Sequence, residues 1–295
     1  MKRNAIIRIV LFSIALAVLL GILGIGIAIR MYMIDFNTEG DAEDYSSISK
    51  IPTPVVTVDE SVSTLLNADS IREIEIEWAA GNITLLPQDG TSDITVSEPR
   101  QTQEKYQMRC FQQGSTLKIE FWQDTIGFHS TDISKELTIL VPADWICHSL
   151  EIETGAAGIY VTDLTIREVE IDAASGVCHF ENCTVTQFDI DTASGDVYFT
   201  GSLDRMDFDA ASASCQLTLN NVPQQIDLDS MSGDLELTLP EDAGFSLEMD
   251  ALSGDFSSNF ETKLQNGRYI CGDGSCRITI SALSGDVSIQ KTTVE

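Results

Sequence analysis

Basic residues are scarce in this 295-residue chain: 17 Lys and Arg stand against 46 Asp and Glu, a formal charge of −29. Four of the 17, Lys2, Arg3, Arg8 and Arg30, fall in the first 34 residues, which hold no acid. The body from Asp35 onward is therefore more acidic than the whole. Nucleic acid and anionic lipid headgroups repel such a body, and nucleic acid is excluded as a partner. Histidine is nearly missing. His129, His148 and His179 form no His-x-His or His-x-x-x-His pair, which argues against a histidine-built metal or catalytic centre. There is no Gly-x-Ser-x-Gly elbow, phosphate-cradling loop or EF-hand spacing, so the common signatures of hydrolases, nucleotide binders and calcium sensors are lacking. No amphipathic helical period appears after residue 35.

Long hydrophobic runs are also few, and the one present is informative. Ile9 to Ile29 is 21 residues without a charge, about 31 Å as a helix and long enough to cross a bilayer core. It exceeds the apolar core of a secretory signal, and Gly26-Ile27-Ala28 is a poor cleavage site. The expectation is one retained transmembrane helix. Lys2, Arg3 and Arg8 flank its first end and acids follow its second, so the N-terminus is expected in the cytoplasm and the body outside the cell membrane. The cytoplasmic tip, about eight residues, is too short to be a signalling domain.

Residues 1–34 thus read as tip and anchor. Residues 35–70, acidic and rich in Ser and Thr with Pro52 and Pro54, read as a flexible stalk. Short alternating apolar runs begin at Ile71, and residues 71–147, ending in ELTILVP and its flank, form an irregular β entry region. Regular repeats fill 148–295. Aligned on the Gly of a Ser-Gly corner they fall at Gly158, Gly176, Gly195, Ala213 (in place of Gly), Gly233, Gly254 and Gly285, with an earlier copy at Gly81. Successive intervals from Gly158 are 18, 19, 18, 20, 21 and 31, the last enlarged by an insertion containing Cys271–Cys276. The Gly158 copy fits if one residue is inserted before its corner.

Columns seven and five before the corner, and two and four after it, are apolar: Phe188, Ile190, Val197 and Phe199 are one set, Ile226, Leu228, Leu235 and Leu237 another. Period two within a copy and a near-constant interval between copies place one face of every strand on a shared interior. Repeats this short bury their faces only by stacking. The expected fold is all-β, a parallel β-solenoid of about 18–21-residue coils, preceded by the membrane helix. Cys178 and Cys215 share a column two coils apart, roughly 9.5 Å by strand spacing, too far for a disulfide. They are expected as unbonded core thiols. Cys271 and Cys276 could close a small disulfide across their loop.

Between the apolar columns runs a double ladder of acids: Glu75/Glu77, Glu151/Glu153, Glu170/Asp172, Asp189/Asp191, Asp207/Asp209, Asp227/Asp229 and Glu248/Asp250, broken only at Thr279/Ser281. Two like charges about 5 Å apart cost roughly 0.8 kcal/mol in water before screening. The ordinary reading is a solvated face that keeps a β-rich surface soluble. The functional alternative is a cation ladder for Ca²⁺, carried by Asp172, Asp189, Asp191, Asp207, Asp209, Asp227, Asp229 and Asp250.

The copies DIDTASGDVYF, DLDSMSGDLEL, EMDALSGDF and ITISALSGDVSI, with the membrane segment and ELTILVP, resemble the bacterial putative-adhesin domain family, whose function is formally unknown. The resemblance covers about residues 71–295. It implies a parallel β-solenoid, often membrane-anchored, and brings no catalytic residues. The chain departs from the pattern at AASASC and at Ala157-Gly158-Ile159. The function expected is a non-enzymatic, adhesin-like binding or envelope scaffold module for an extended ligand such as a glycan or surface protein. Two alternatives stand beside it. One is a Ca²⁺-assisted polysaccharide-active enzyme on a β-helix, for which Arg and Lys are sparse in the repeats. The other is end-to-end self-association through the last copy, ITISALSGDVSIQ, expected to leave an edge strand.

Overall fold

The computed structural model describes residues 61–101, 106–122 and 134–292. The expected membrane helix and most of the expected stalk lie outside these residues. Among the described residues, no helix is long and apolar enough to cross a membrane.

The fold is all-β. Its first part comprises β1 (Ser61–Asn67), β2 (Glu73–Gln88), β3 (Asp93–Pro99), β4 (Arg109–Gln113), β5 (Thr116–Glu120) and β6 (Lys135–Pro142). The middle comprises β7 (Ile146–Thr162), β8 (Thr165–Ser175), β9 (Cys178–Ser194), β10 (Val197–Ser212), β11 (Cys215–Leu219), β12 (Gln225–Ser232) and β13 (Leu235–Leu239). The last part comprises β14 (Phe245–Ser253), β15 (Phe256–Ser258), β16 (Lys263–Gln265), β17 (Arg268–Cys271), β18 (Cys276–Ser284) and β19 (Val287–Lys291).

One coil is a long limb, a corner and a short limb, as in β8, Gly176-Val177 and the start of β9. Coils stack by parallel, in-register pairing, so like falls on like: Phe188 on Met206, Ile190 on Phe208, Val197 on Cys215. Alternation puts every second side chain inside; Phe180, Phe188, Phe199 and Phe208 are each at most 1% exposed. The result is a β-solenoid-like stack whose core is continuous along its length.

Three details differ from the sequence reading. In the copy aligned on Gly158, the corner residue is Ala157: it pairs with Gly81, and Leu150 and Ile152 pair with Ile74 and Ile76. No inserted residue is needed, because Ala157 lies at the same distance from Ile152 as Gly176 does from Ile171. Ser61–Asn67, placed in the stalk by composition, forms β1 and pairs antiparallel with β3. Its alternation is hidden among acidic neighbours.

The third difference is the stacking order. β18 and β19, last in sequence, lie between β12/β13 on one side and β14/β15 on the other. The expected edge strand ITISALSGDVSIQ is therefore internal, paired on both sides. The neutral Thr279 and Ser281 separate Asp227 and Asp229 from Glu248 and Asp250. The first part of the stack shows the same manoeuvre reversed. β5 and β6 follow β2 in sequence but pair on the side of it opposite β7.

All seven cysteines are free. Cys178 and Cys215 both pair with Val197 from opposite sides, two coils apart as expected, and burial pushes the Cys178 thiol up to about 12. Cys271 and Cys276 form no disulfide; both are buried, and the loop is closed instead by Gly274 N–H donating to the Cys271 carbonyl at 3.0 Å.

Candidate functional site

The two acidic columns are assembled as the sequence spacing requires. Glu75, Glu151, Glu170, Asp189, Asp207 and Asp227 pair in succession, and so do Glu77, Glu153, Asp172, Asp191, Asp209 and Asp229. Asp250 is set apart by Ser281. Among the described residues, ion pairs to these columns and their flank occur only toward the ends. Lys118 pairs with Glu75 at 2.6 Å, Arg109 with Glu120 at 3.2 Å, and Arg268 with Glu248 at 2.6 Å. From Glu151/Glu153 to Asp227/Asp229 no carboxylate has an ion-pair partner among the described residues.

This arrangement makes ionisation costly. Partial burial, then neighbouring carboxylates, hold Glu153, Glu170, Asp191 and Asp207 above the ordinary carboxylate range. Asp209, flanked by Asp191, Asp229 and Asp207, is pushed up to about 7, with burial the larger cause. A shallow depression of about 220 Å³ lies between Glu170, Asp172, Asp189, Asp191, Asp207 and Asp209. Yet the carboxylates point outward in rows instead of converging. Among the described residues no group of three or more His, Cys, Asp or Glu could hold a metal ion in a closed shell. The strip suits loosely held cations or cationic groups more than a single chelated ion.

The Ser-Gly-Asp corner has a structural explanation that sequence spacing alone did not supply. At the corner the ladder turns, and the Asp side chain reaches the backbone of the next coil. Asp196 accepts from Ser214 N–H at 2.9 Å, Asp234 from Asp286 N–H at 2.7 Å, and Asp286 from Asp255 N–H at 2.8 Å. Ser214, standing in for Asp, accepts from Asp234 N–H through its hydroxyl at 3.4 Å. Each Asp thus satisfies a donor that the turn would leave unpaired. The glycine is required by close approach: a Cβ on Gly195 would lie 1.8 Å from the Gly176 carbonyl oxygen, at a φ of 131°. The serines stack as Ser212 on Ser194 and Ser232 on Ser284. Ser212, Ser232, Ser253 and Ser284, with Asp196, Asp234 and Asp286, line an open polar groove of about 470 Å³.

A short aromatic stack also escaped the sequence reading. His179, which pairs with no other histidine in the sequence, lies between Tyr160 and Tyr198, its ring 6.3 and 5.7 Å from theirs and within 26° of parallel. All three share the column three positions after the corner, where two tyrosines and a histidine among mixed polar residues gave no apolar pattern. His129 lies outside the described residues.

A family model described as Toastrack DUF4097 matches residues 71–218 and, in a second overlapping placement, 159–290. The chain belongs to the Toastrack DUF4097 family. The double placement reflects the repeat: two windows along one Toastrack stack fit the same pattern. No curated protein matches this sequence. Solved structures similar to this Toastrack chain include a putative cell adhesion protein from Clostridium sporogenes, 10% identical over 79% of this chain and 99% of that one, TM-score 0.36. A putative adhesin from Bacteroides fragilis is 12% identical over 79% and 98%, TM-score 0.42. A putative lipid binding protein from Parabacteroides distasonis is 11% identical over 80% and 98%, TM-score 0.36.

Proposed function

We propose that this Toastrack chain is a non-enzymatic binding module of the cell envelope. Ile9–Ile29 holds it in the membrane by a single pass with the β-stack outside, and the acidic strip faces an extended partner, a glycan or surface protein. The observation that carries the reading is the strip itself: the same two carboxylates recur in register from Glu151/Glu153 to Asp227/Asp229 without a cation partner among the described residues. Recurrence at strand spacing, about 4.8 Å, suits a partner that repeats, because one weak contact per coil adds along the stack. Cations, Ca²⁺ among them, act in this reading by screening the strip and bridging it to an anionic partner.

The test is co-sedimentation of the full chain, in mild detergent, with isolated cell-wall glycan in EDTA, in Mg²⁺ and in Ca²⁺ at constant ionic strength. Binding that weakens when Asp189, Asp191, Asp207 and Asp209 are changed to Asn supports the reading. No binding in any condition, or binding indifferent to those changes, removes the strip as the contact surface. New reducing ends or unsaturated sugar products would replace this reading with a polysaccharide-active enzyme.

A further inference from the structure

Because β18 and β19 are internal, the coil that ends the stack is β14/β15. β17 covers β14 only from Phe245 to Leu247. Among the described residues, Glu248–Ser253 and all of β15 have a strand on one side only. Side chains in columns that are sealed elsewhere are half-open here. Met249 and Phe256 are only partly buried, whereas Ile280 and Val287, on which they stack, are each 2% exposed. Leu252 and Leu264 are each 65% exposed beside this edge. The uncovered stretch has no proline, no bulge and no inward-pointing charge; its protection is limited to the outward Glu248 and Asp250 and the β16–β17 hairpin at one end.

We propose that this end is an interface between two copies of the chain, β14 pairing antiparallel with its own twin across a twofold axis. Twofold symmetry relates a strand to itself only in the antiparallel sense and makes the contact isologous. Charge is more balanced here than in the middle of the stack. Of the six Lys and Arg from residue 148 onward, Lys263, Arg268, Arg277 and Lys291 lie in the last part and only Arg167 and Arg205 before it. In the middle of the stack the unpaired acidic columns of two copies would face each other. Here Arg268 pairs with Glu248 and Lys263 lies on the adjoining hairpin strand β16, so a twofold contact brings bases of one copy toward acids of the other. The corner adds an acceptor: Asp255 ends the column of Asp-to-backbone bonds, with no further coil among the described residues to cap. The inference concerns an end of the stack and holds whether or not the acidic strip binds a glycan.

The experiment is sedimentation velocity of the full chain in mild detergent over a concentration series, beside the L252K/L264K variant. Both leucines are exposed, so the variant keeps its fold; a matching melting curve verifies this. A concentration-dependent dimer, weakened about tenfold or more in the variant, is expected. In parallel, Leu252→Cys treated with a short bis-maleimide should give a crosslinked dimer absent from the parent chain. A monomer at every concentration overturns the proposal. So does a dimer that both variants leave unchanged, which would place self-association at another surface, or a stoichiometric foreign protein occupying the edge.

Discussion

The two ends of the stack solve the same problem differently. At the first end β4 lies antiparallel on β5, β3 on β6, and β1 on β3, and the core positions Leu117, Ile119, Leu137 and Ile139 are each at most 1% exposed. Behind them Lys135, in the corner column beside Gly81, is 1% exposed. Its Nζ meets Glu98 at 2.8 Å and lies 4.2 Å from the Phe121 ring centre and 4.8 Å from that of Trp78. It also donates to the carbonyls of Tyr106 and Phe121. Burial lowers the Lys135 pKa and the Glu98 carboxylate opposes that shift. At the last end a two-strand hairpin covers part of one strand, and the ion pair Arg268–Glu248 stands half in solvent. A sealed end terminates a solenoid; an end left open invites another strand.

The sharpest break in this comparison comes from removing one acid at each end. Glu98→Ala strands a buried ammonium and should cost about 3–5 kcal/mol, while Glu248→Ala should cost less than about 1 kcal/mol. Urea denaturation of both variants measures the contrast, and equal losses would mean the first end is not sealed as described. Corner glycines give the next largest effect. Gly195→Ala forces a methyl onto the carbonyl of a coil held on both sides, for an expected loss of about 2–4 kcal/mol. Gly254→Ala meets the Gly285 carbonyl oxygen at a comparable 2.0 Å, but the last coil can shift outward. Its melting temperature should fall by clearly less.

The middle of the stack sets the background for both ends, and its response to pH is unusual in sign. The raised carboxyls keep protons in the folded chain at pH values where the unfolded chain has released them. Stability should therefore rise as pH falls from about 8 toward 5, through the Asp209 value of about 7 and down toward the ordinary carboxylate range. Asp209→Asn should flatten this trend and stabilise the chain at pH 8 by about 1 kcal/mol, a melting-temperature gain of about 2–4 °C. A chain that loses stability steadily on acidification from pH 8 would contradict the strained ladder.

Much of this was legible in the sequence because alternation and interval are one-dimensional signals. The core columns, the acidic pairs and the separation of Cys178 from Cys215 follow from counting. Stacking order is different. Nothing local in ITISALSGDVSIQ distinguishes an end coil from an inserted one, since pairing with β12 or β14 demands the same residues at the same positions. The one available hint was the Thr279/Ser281 break, which is neutral where two acidic coils would otherwise be neighbours. The corner Asp was visible as a repeat but its partner is a backbone N–H in another coil, which composition does not mark. Lys135 was hidden for a similar reason: its cage is gathered from Trp78, Glu98, Phe121 and Trp122, far apart in sequence.

The most direct test of the stacking order is hydrogen–deuterium exchange on the intact chain, comparing peptides from Cys276–Lys291 and Glu248–Ser258. An internal last coil, flanked on both sides, should exchange far more slowly than the coil that precedes it in sequence, at protein concentrations low enough to keep the chain monomeric. Faster exchange in Cys276–Lys291 than in Glu248–Ser258 would mean that coils stack in chain order, and the open end would then belong to the last segment.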